Sequence, residues 1–153
     1  MNRPDIARIP EKMRLTLHTD YALRVLIHVG LHEGDLVTVN EIAECQGISK
    51  NHLTKVVHHL GRAGYLETVR GKHGGVRLLK RPEQIRLGAL IRSTEEDFAL
   101  VRCLREEQET DPCRMGGRCL AYQALAAGLT AFFAELDRYT LAEVLERQRE
   151  AAQ

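Results

Sequence analysis

Between Thr38 and Leu79 the chain spells two short helices, a tight turn and a glycine-rich hairpin, and few folds accommodate that order. Thr38-Val39-Asn40-Glu41 has capping-box spacing: Thr38 can accept from the backbone N–H three residues on, and Glu41 can reach back. The helix so started runs to about Cys45 and stops at Gln46-Gly47. Ser49 then caps another helix, whose Leu53, Val56, Val57 and Leu60 follow the i, i+3, i+4, i+7 rule. Gly64 supplies its C-terminal turn. Past Gly64 the period changes, and Tyr65 to Val69 and Val76 to Leu79 read as strands around Arg70-Gly71-Lys72-His73-Gly74-Gly75. Two helices joined by a glycine turn and followed by a basic hairpin make a winged helix-turn-helix.

The expected fold class is mainly α with a small β-hairpin: a winged helix-turn-helix plus a long C-terminal dimerisation helix. Residues 1–12, polar with two prolines, read as a flexible arm, with Met13 as an alternative first residue. Residues 13–81 form the DNA-binding domain. Its first helix, Asp20 to Leu31, carries Leu23, Leu26 and Ile27 on one face and Val25 and Val29 on another, so it should be largely buried. Residues 82–119 comprise a connecting helix from Pro82 to Arg92 and a cysteine loop. In 120–153, Leu125, Leu129, Phe132, Phe133 and Leu136 share a stripe suited to a twin in a homodimer. Packing back on its own domain is the alternative, but half-site DNA readers are usually two-fold symmetric.

Charge is informative only when divided along the chain. The net value is +1, yet residues 49–81 hold eight Lys/Arg against one acid, Glu67, while residues 95–153 carry −5. One segment is thus built for a polyanion, and double-stranded DNA is the partner expected. Ser49, Lys50, Asn51, His52 and Lys55 stand at or near the start of the third helix, off its apolar stripe, where major-groove contacts are made. Thr38 is the other candidate of that unit, and Arg70, Lys72 and His73 are placed for the neighbouring minor groove or backbone. Solvated lysines and plain helix caps are the competing reading. No run approaches the ~20 apolar residues of a membrane span and no apolar signal core opens the chain, so a cytoplasmic protein without a membrane partner is expected.

Cys103, Cys113 and Cys119 occur as C-x9-C-x5-C with Pro112, Gly116 and Gly117 between them. In a reducing compartment clustered thiols point to metal or redox chemistry rather than disulfides. Three thiolates are one ligand short of an iron–sulfur cluster or tetrahedral zinc. No histidine follows Arg77, so the fourth ligand is a local carboxylate such as Asp111, or comes from the N-terminal half or a partner subunit. Wide spacing on a loop favours a cluster over zinc; a thiol redox sensor is a third reading. Cys45 reads as a small core residue. No phosphate loop, paired catalytic carboxylates or nucleophile elbow supports an enzyme or small electron carrier, and the seven histidines show no metal-helix or triad context.

Met13-Arg14-Leu15-Thr16 with Thr19-Asp20-Tyr21-Ala22-Leu23-Arg24 resembles the opening of the bacterial NsrR/IscR family of iron–sulfur winged-helix regulators. Glu41-Ile42-Ala43, Gly47-Ile48-Ser49, the wing Arg70 to Gly75, the three cysteines and Leu136-Asp137-Arg138-Tyr139-Thr140-Leu141-Ala142 extend the likeness from residue 13 to about 145. Tyr122 stands where IscR-like members carry a histidine, and Asp20 matches an aspartate of the nitric-oxide-sensing branch. The resemblance implies a homodimeric repressor with nitric oxide as its signal. Its 2Fe–2S or 4Fe–4S cluster would be held by Cys103, Cys113 and Cys119, with Asp20 from the partner subunit and Arg24 supporting that aspartate. Iron or another redox signal is the alternative. The chain departs from the family in having nine residues, not four or five, between its first two cysteines, with Glu106-Glu107-Gln108-Glu109 as a solvated insertion.

Overall fold

A computed structural model describes residues 14–104 and 119–152. The reading of Cys113 and of the Glu106–Glu109 insertion lies outside these residues, as do the N-terminal arm, residues 1–12, and Met13. The element order is α1 (Leu17–Leu31), α2 (Val39–Gln46), α3 (Lys50–Arg62), β1 (Leu66–Val69), β2 (Gly75–Leu78), α4 (Leu87–Thr94), α5 (Leu120–Leu136) and α6 (Leu141–Ala151). Short 3₁₀ turns occupy Pro82–Gln84 and Arg102–Leu104.

The winged helix-turn-helix forms as its local signals direct. Thr38 accepts from the Glu41 amide at 3.2 Å, and the Glu41 carboxylate accepts from the Thr38 N–H at 2.6 Å, closing the capping box. Gly47 ends α2 at φ 64°, a left-handed conformation that glycine adopts without a Cβ penalty. Leu53, Val56, Val57 and Leu60 of α3 are all buried, against Ala22, Val25, Leu26 and Val29 of α1 and Ile42 of α2 in one core. The helix α1 starts three residues before the expected Asp20, because the Thr16 hydroxyl accepts from the Thr19 amide at 3.3 Å and caps it.

The wing pairs antiparallel in register Leu66↔Leu78 through Val69↔Gly75. A third partner, absent from the sequence reading, joins it: Val37 exchanges both backbone hydrogen bonds with Val76, at 3.0 and 2.8 Å. The approach is so close that a Cβ on Gly75 would stand 2.9 Å from the Val37 carbonyl oxygen, and one on Gly74 would strike that of Val69. Glycine is therefore required at the base of the wing.

The C-terminal third differs from expectation in two places. The expected helix from Pro82 to Arg92 is divided, because Ile85 and Arg86 are extended and pair with the chain ahead of α6. Leu141 donates its N–H to the Ile85 carbonyl at 2.8 Å, and Leu87 to that of Tyr139 at 3.0 Å. Tertiary pairing here overrides local helical preference. The single helix expected from Leu120 onward is likewise two. Thr140 and Glu143 form a capping box that starts α6 afresh, and Leu141 and Leu145 enter the core against α1. Cys45, read as a core residue, is exposed.

Candidate nucleic-acid interface and cluster ligands

The putting of donors on one face begins with α3. Its core stripe fixes the helix rotation, so Lys50, Asn51, His52 and Lys55 are left exposed at its N-terminal end. Ser49 caps the helix by accepting from the His52 amide at 3.4 Å, and the Thr54 hydroxyl donates to the Lys50 carbonyl at 2.8 Å. The wing holds Arg70, Lys72 and His73 exposed around Gly71. These exposed cations and amides, carried on a helix start and a hairpin tip, can meet phosphates and base edges. Thr38 and Ser49 act as caps in the fold, whatever else they contact.

Asp20 lies in the first turn of α1 with its side chain 44% exposed, and Arg24 one turn on donates to its carboxylate at 2.9 Å. The expected Asp20–Arg24 pair therefore exists. Cys103 sits half-buried in the Arg102–Leu104 turn, and Cys119 half-buried at the N-cap of α5. Asp20, Cys103 and Cys119 do not gather within one protomer: among the described residues no three His, Cys, Asp or Glu side chains form a metal-holding group.

Ties that no sequence signal announced connect these parts. Thr16 donates its amide N–H and its hydroxyl to the Glu95 carboxylate, at 2.8 and 3.0 Å. Inside the protein the Thr19 hydroxyl donates to that of Thr94 at 2.8 Å. The start of α1 is thereby fastened to the end of α4, from which the chain runs on toward Cys103. His18 on α1 and His59 on α3 share a ring hydrogen bond of 2.8 Å. Burial, and then the His59 ring, hold His18 below the usual histidine range, while Glu95 and Glu96 pull the other way. Along α4, Arg92 in the last turn grips both carboxylate oxygens of Asp137 at 2.7 Å, and Arg86 at the N-cap donates to the Asp137 carbonyl at 2.6 Å. Gly88 leaves no room for a side chain there, since its Cβ would lie 2.8 Å from Asp137 Cγ. The exit of α5 is thus clamped. These pairs are 41 to 79 residues apart, beyond the reach of any local pattern.

The helix α5 itself has one charged residue in seventeen, Glu135, yet buries none of its side chains. Leu120 is 77% exposed, and Leu125, Leu129, Phe132 and Phe133 are only half-covered. Phe98 meets Phe133 edge-on at 4.7 Å, and the Arg92 guanidinium lies over the same ring.

A profile of the Rrf2 family, described as iron-dependent transcriptional regulators, matches residues 15–147. The chain belongs to the Rrf2 family. Among Rrf2 relatives, the HTH-type transcriptional regulator NsrR of Bacillus licheniformis is 44% identical over 137 residues, covering 89% of this chain and 94% of the relative. NsrR of Geobacillus kaustophilus is 45% identical over 135 residues, covering 88% and 90%, and that of Bacillus subtilis 42% over 139, covering 90% and 94%. The fold is that of T. potens IscR, with a TM-score of 0.72 at 24% identity and 93% of each chain covered. Staphylococcus aureus CymR in its oxidized form superposes with a TM-score of 0.67 at 27% identity, covering 88% and 97%. This Rrf2 chain is a transcriptional regulator and not an enzyme, and no helix among its described residues is long and apolar enough to cross a membrane.

Proposed function

We propose that the protein is a nitric-oxide-responsive repressor. It binds palindromic double-stranded DNA as a homodimer while an iron–sulfur cluster, 2Fe–2S or 4Fe–4S, is intact, and releases it when nitric oxide nitrosylates the cluster. The observation that carries this reading is the pairing of an apolar helix that buries none of its own side chains among the described residues with an exposed carboxylate on α1. Cys119 opens α5, and Asp20 points away from the core, so two chains apposed along α5 can offer thiolates from one and a carboxylate from the other.

The donor set fits such a group. Cys103, Cys113 and Cys119 supply thiolates, and the first-turn N–H groups of α5 stand at the Cys119 position, suited to a metal-bound sulfur. Asp20 of the partner subunit would supply an oxygen, a harder and more weakly held ligand to cluster iron than sulfur. When bound, the cluster supplies iron that reacts with nitric oxide. Arg24 holds the Asp20 carboxylate in place through its 2.9 Å bond. With Asp20 engaged, α1 is anchored, and α1 carries the reading helix α3 through their shared core and the His18–His59 bond. Once Asp20 is released, the two reading heads lose their fixed spacing. On DNA, Lys50, Asn51, His52 and Lys55 face the major groove beside Thr38 and Ser49, while Arg70, Lys72 and His73 meet the flanking minor groove and backbone.

Anaerobic purification with visible absorption and iron and sulfide analysis, followed by nitric oxide titration with DNA binding read in parallel, tests the proposal. A brown protein that bleaches and drops its DNA supports it. A colourless or zinc-holding protein that still binds DNA overturns the cluster. Equal sensitivity to oxygen, chelators and nitric oxide overturns the signal.

A further inference from the structure

Asn51, Lys55, His58 and Arg62 stand at i, i+4, i+7 and i+11 on α3, and all four are exposed. At 3.6 residues per turn they fall within about 60° of one another, on the side opposite the buried Leu53, Val56, Val57 and Leu60. They form one row from the first turn of the helix to its last. The sequence reading took only Asn51 and Lys55 from this row, because it stopped at the helix start. His59, beside His58, is half-buried and turned to His18 at 2.8 Å, so it does not belong to the row.

The row has no counter-charge in its own chain. A helix face that carries charge only for solubility mixes the signs, with acids three or four residues from bases. The helix α6 does so, setting Glu143, Glu146 and Glu150 among Arg147 and Arg149. Exposed arginines elsewhere lie against acids, as in Arg24–Asp20, Arg77–Glu67 and Arg138–Glu135. The thirteen residues of α3 contain no Asp or Glu. Among the described residues, none of the four side chains of the row makes a hydrogen bond or an ion pair. Such a face is complementary to a polyanion along its whole length.

We infer that α3 lies lengthwise on the duplex, so that His58 and Arg62 are DNA contacts in addition to those at the helix start. This inference rests on the DNA reading above and adds two residues and a docking direction to it. From Asn51 to Arg62 the row spans about 17 Å at 1.5 Å per residue, whereas the major groove is about 12 Å wide. A row longer than the groove is wide carries its far end to the phosphates at the groove edge. There Arg62 brings a charge and a fork of N–H donors, and His58 brings a ring N–H. Phosphates carry no sequence information, so these two residues tighten binding to every duplex alike, while the start of α3 reads bases.

The test titrates the anaerobically purified full chain onto a fluorescein-labelled duplex of about 30 base pairs and mixed sequence, read by anisotropy between about 0.05 and 0.2 M salt. Per bound head, Arg62→Ala weakens binding about tenfold and reduces the slope of log affinity on log salt by about one. His58→Ala weakens it about threefold. Arg62→Lys keeps the slope, since a lysine also neutralises a phosphate. Arg147→Ala, the same loss of charge on the exposed face of α6, leaves affinity and slope as they were. A cation in the last turn also suits the helix macrodipole, so each variant is melted as well. A lowered melt with an unchanged salt slope makes Arg62 a helix-end residue and overturns the inference. An equal loss in Arg147→Ala makes the effect one of net charge and overturns it too. No binding by the unchanged protein overturns the DNA reading itself, whereas binding that Arg62→Ala and His58→Ala leave untouched overturns the lengthwise docking alone.

Discussion

The helices α3 and α5 show how little apolarity alone says about burial. The thirteen residues of α3 include two lysines, three histidines and an arginine, yet Leu53, Val56, Val57 and Leu60 are buried. The seventeen residues of α5 include a single charge, yet none is buried. What differs is the surface opposite. The α3 stripe meets α1 and α2 of its own chain, whereas the α5 stripe meets α4, the Phe98 ring and the Arg102–Leu104 turn and is left half-covered among the described residues. A helix of this composition is stable in water when its stripe is covered by a second copy.

The sharpest way to break this contrast is to charge the α5 stripe. Leu129→Asp with Phe132→Asp should weaken self-association on the order of 1000-fold or more, since the two-fold axis doubles each loss. Sedimentation should then find monomers whose head still melts as before; a persistent dimer would mean that α5 is not the interface. Leu60→Ala, in the covered stripe, should cost about 3 kcal/mol in denaturant unfolding, as cavity-forming core changes do. Lys50→Ala removes neither core nor interface. It should lower DNA affinity about tenfold and, if Lys50 meets a phosphate, reduce the salt slope by about one, with self-association unchanged. The smallest effect expected is at the base of α6. The Thr140 N–H and hydroxyl hold the Glu143 carboxyl below its usual range, so this cap stabilises the fold above pH 4.5 and is lost as pH falls through the lowered value. Glu143→Gln should flatten that part of the melting profile.

The same contrast explains what could be read from the sequence. The reading head was legible because its signals are local: the Thr38–Glu41 box, the Ser49 cap, the α3 stripe and the wing glycines each act within a few residues. The division of the C-terminal region was not. Thr140-Leu141-Ala142-Glu143 carries a capping box as clear as that of Thr38, but it stands inside a pattern that continues as one helix, and only its pairing with Ile85 and Arg86 decides the break. Cys45 was misplaced for a related reason. In α2 only Ile42 is buried, so the pattern of a short helix poorly fixes which neighbours are covered. For the ligand set, Asp20 and Arg24 were placed as a pair, whereas the ties from Thr16 and Thr19 to Glu95 and Thr94 span about half of the chain and leave no local trace.

The Asp137 clamp has a mechanical meaning. At 1.5 Å per residue, the seventeen residues of α5 make an arm of about 25 Å. Arg86, Arg92 and the missing side chain of Gly88 set the angle at which that arm leaves its head. A tilt of about 10° at this root moves the far end by about 4 Å, close to the rise of one base pair. In the proposed homodimer, two heads joined through such arms act as calipers, and a slight slackening at the pivot is enough to move them one step out of register on a double helix.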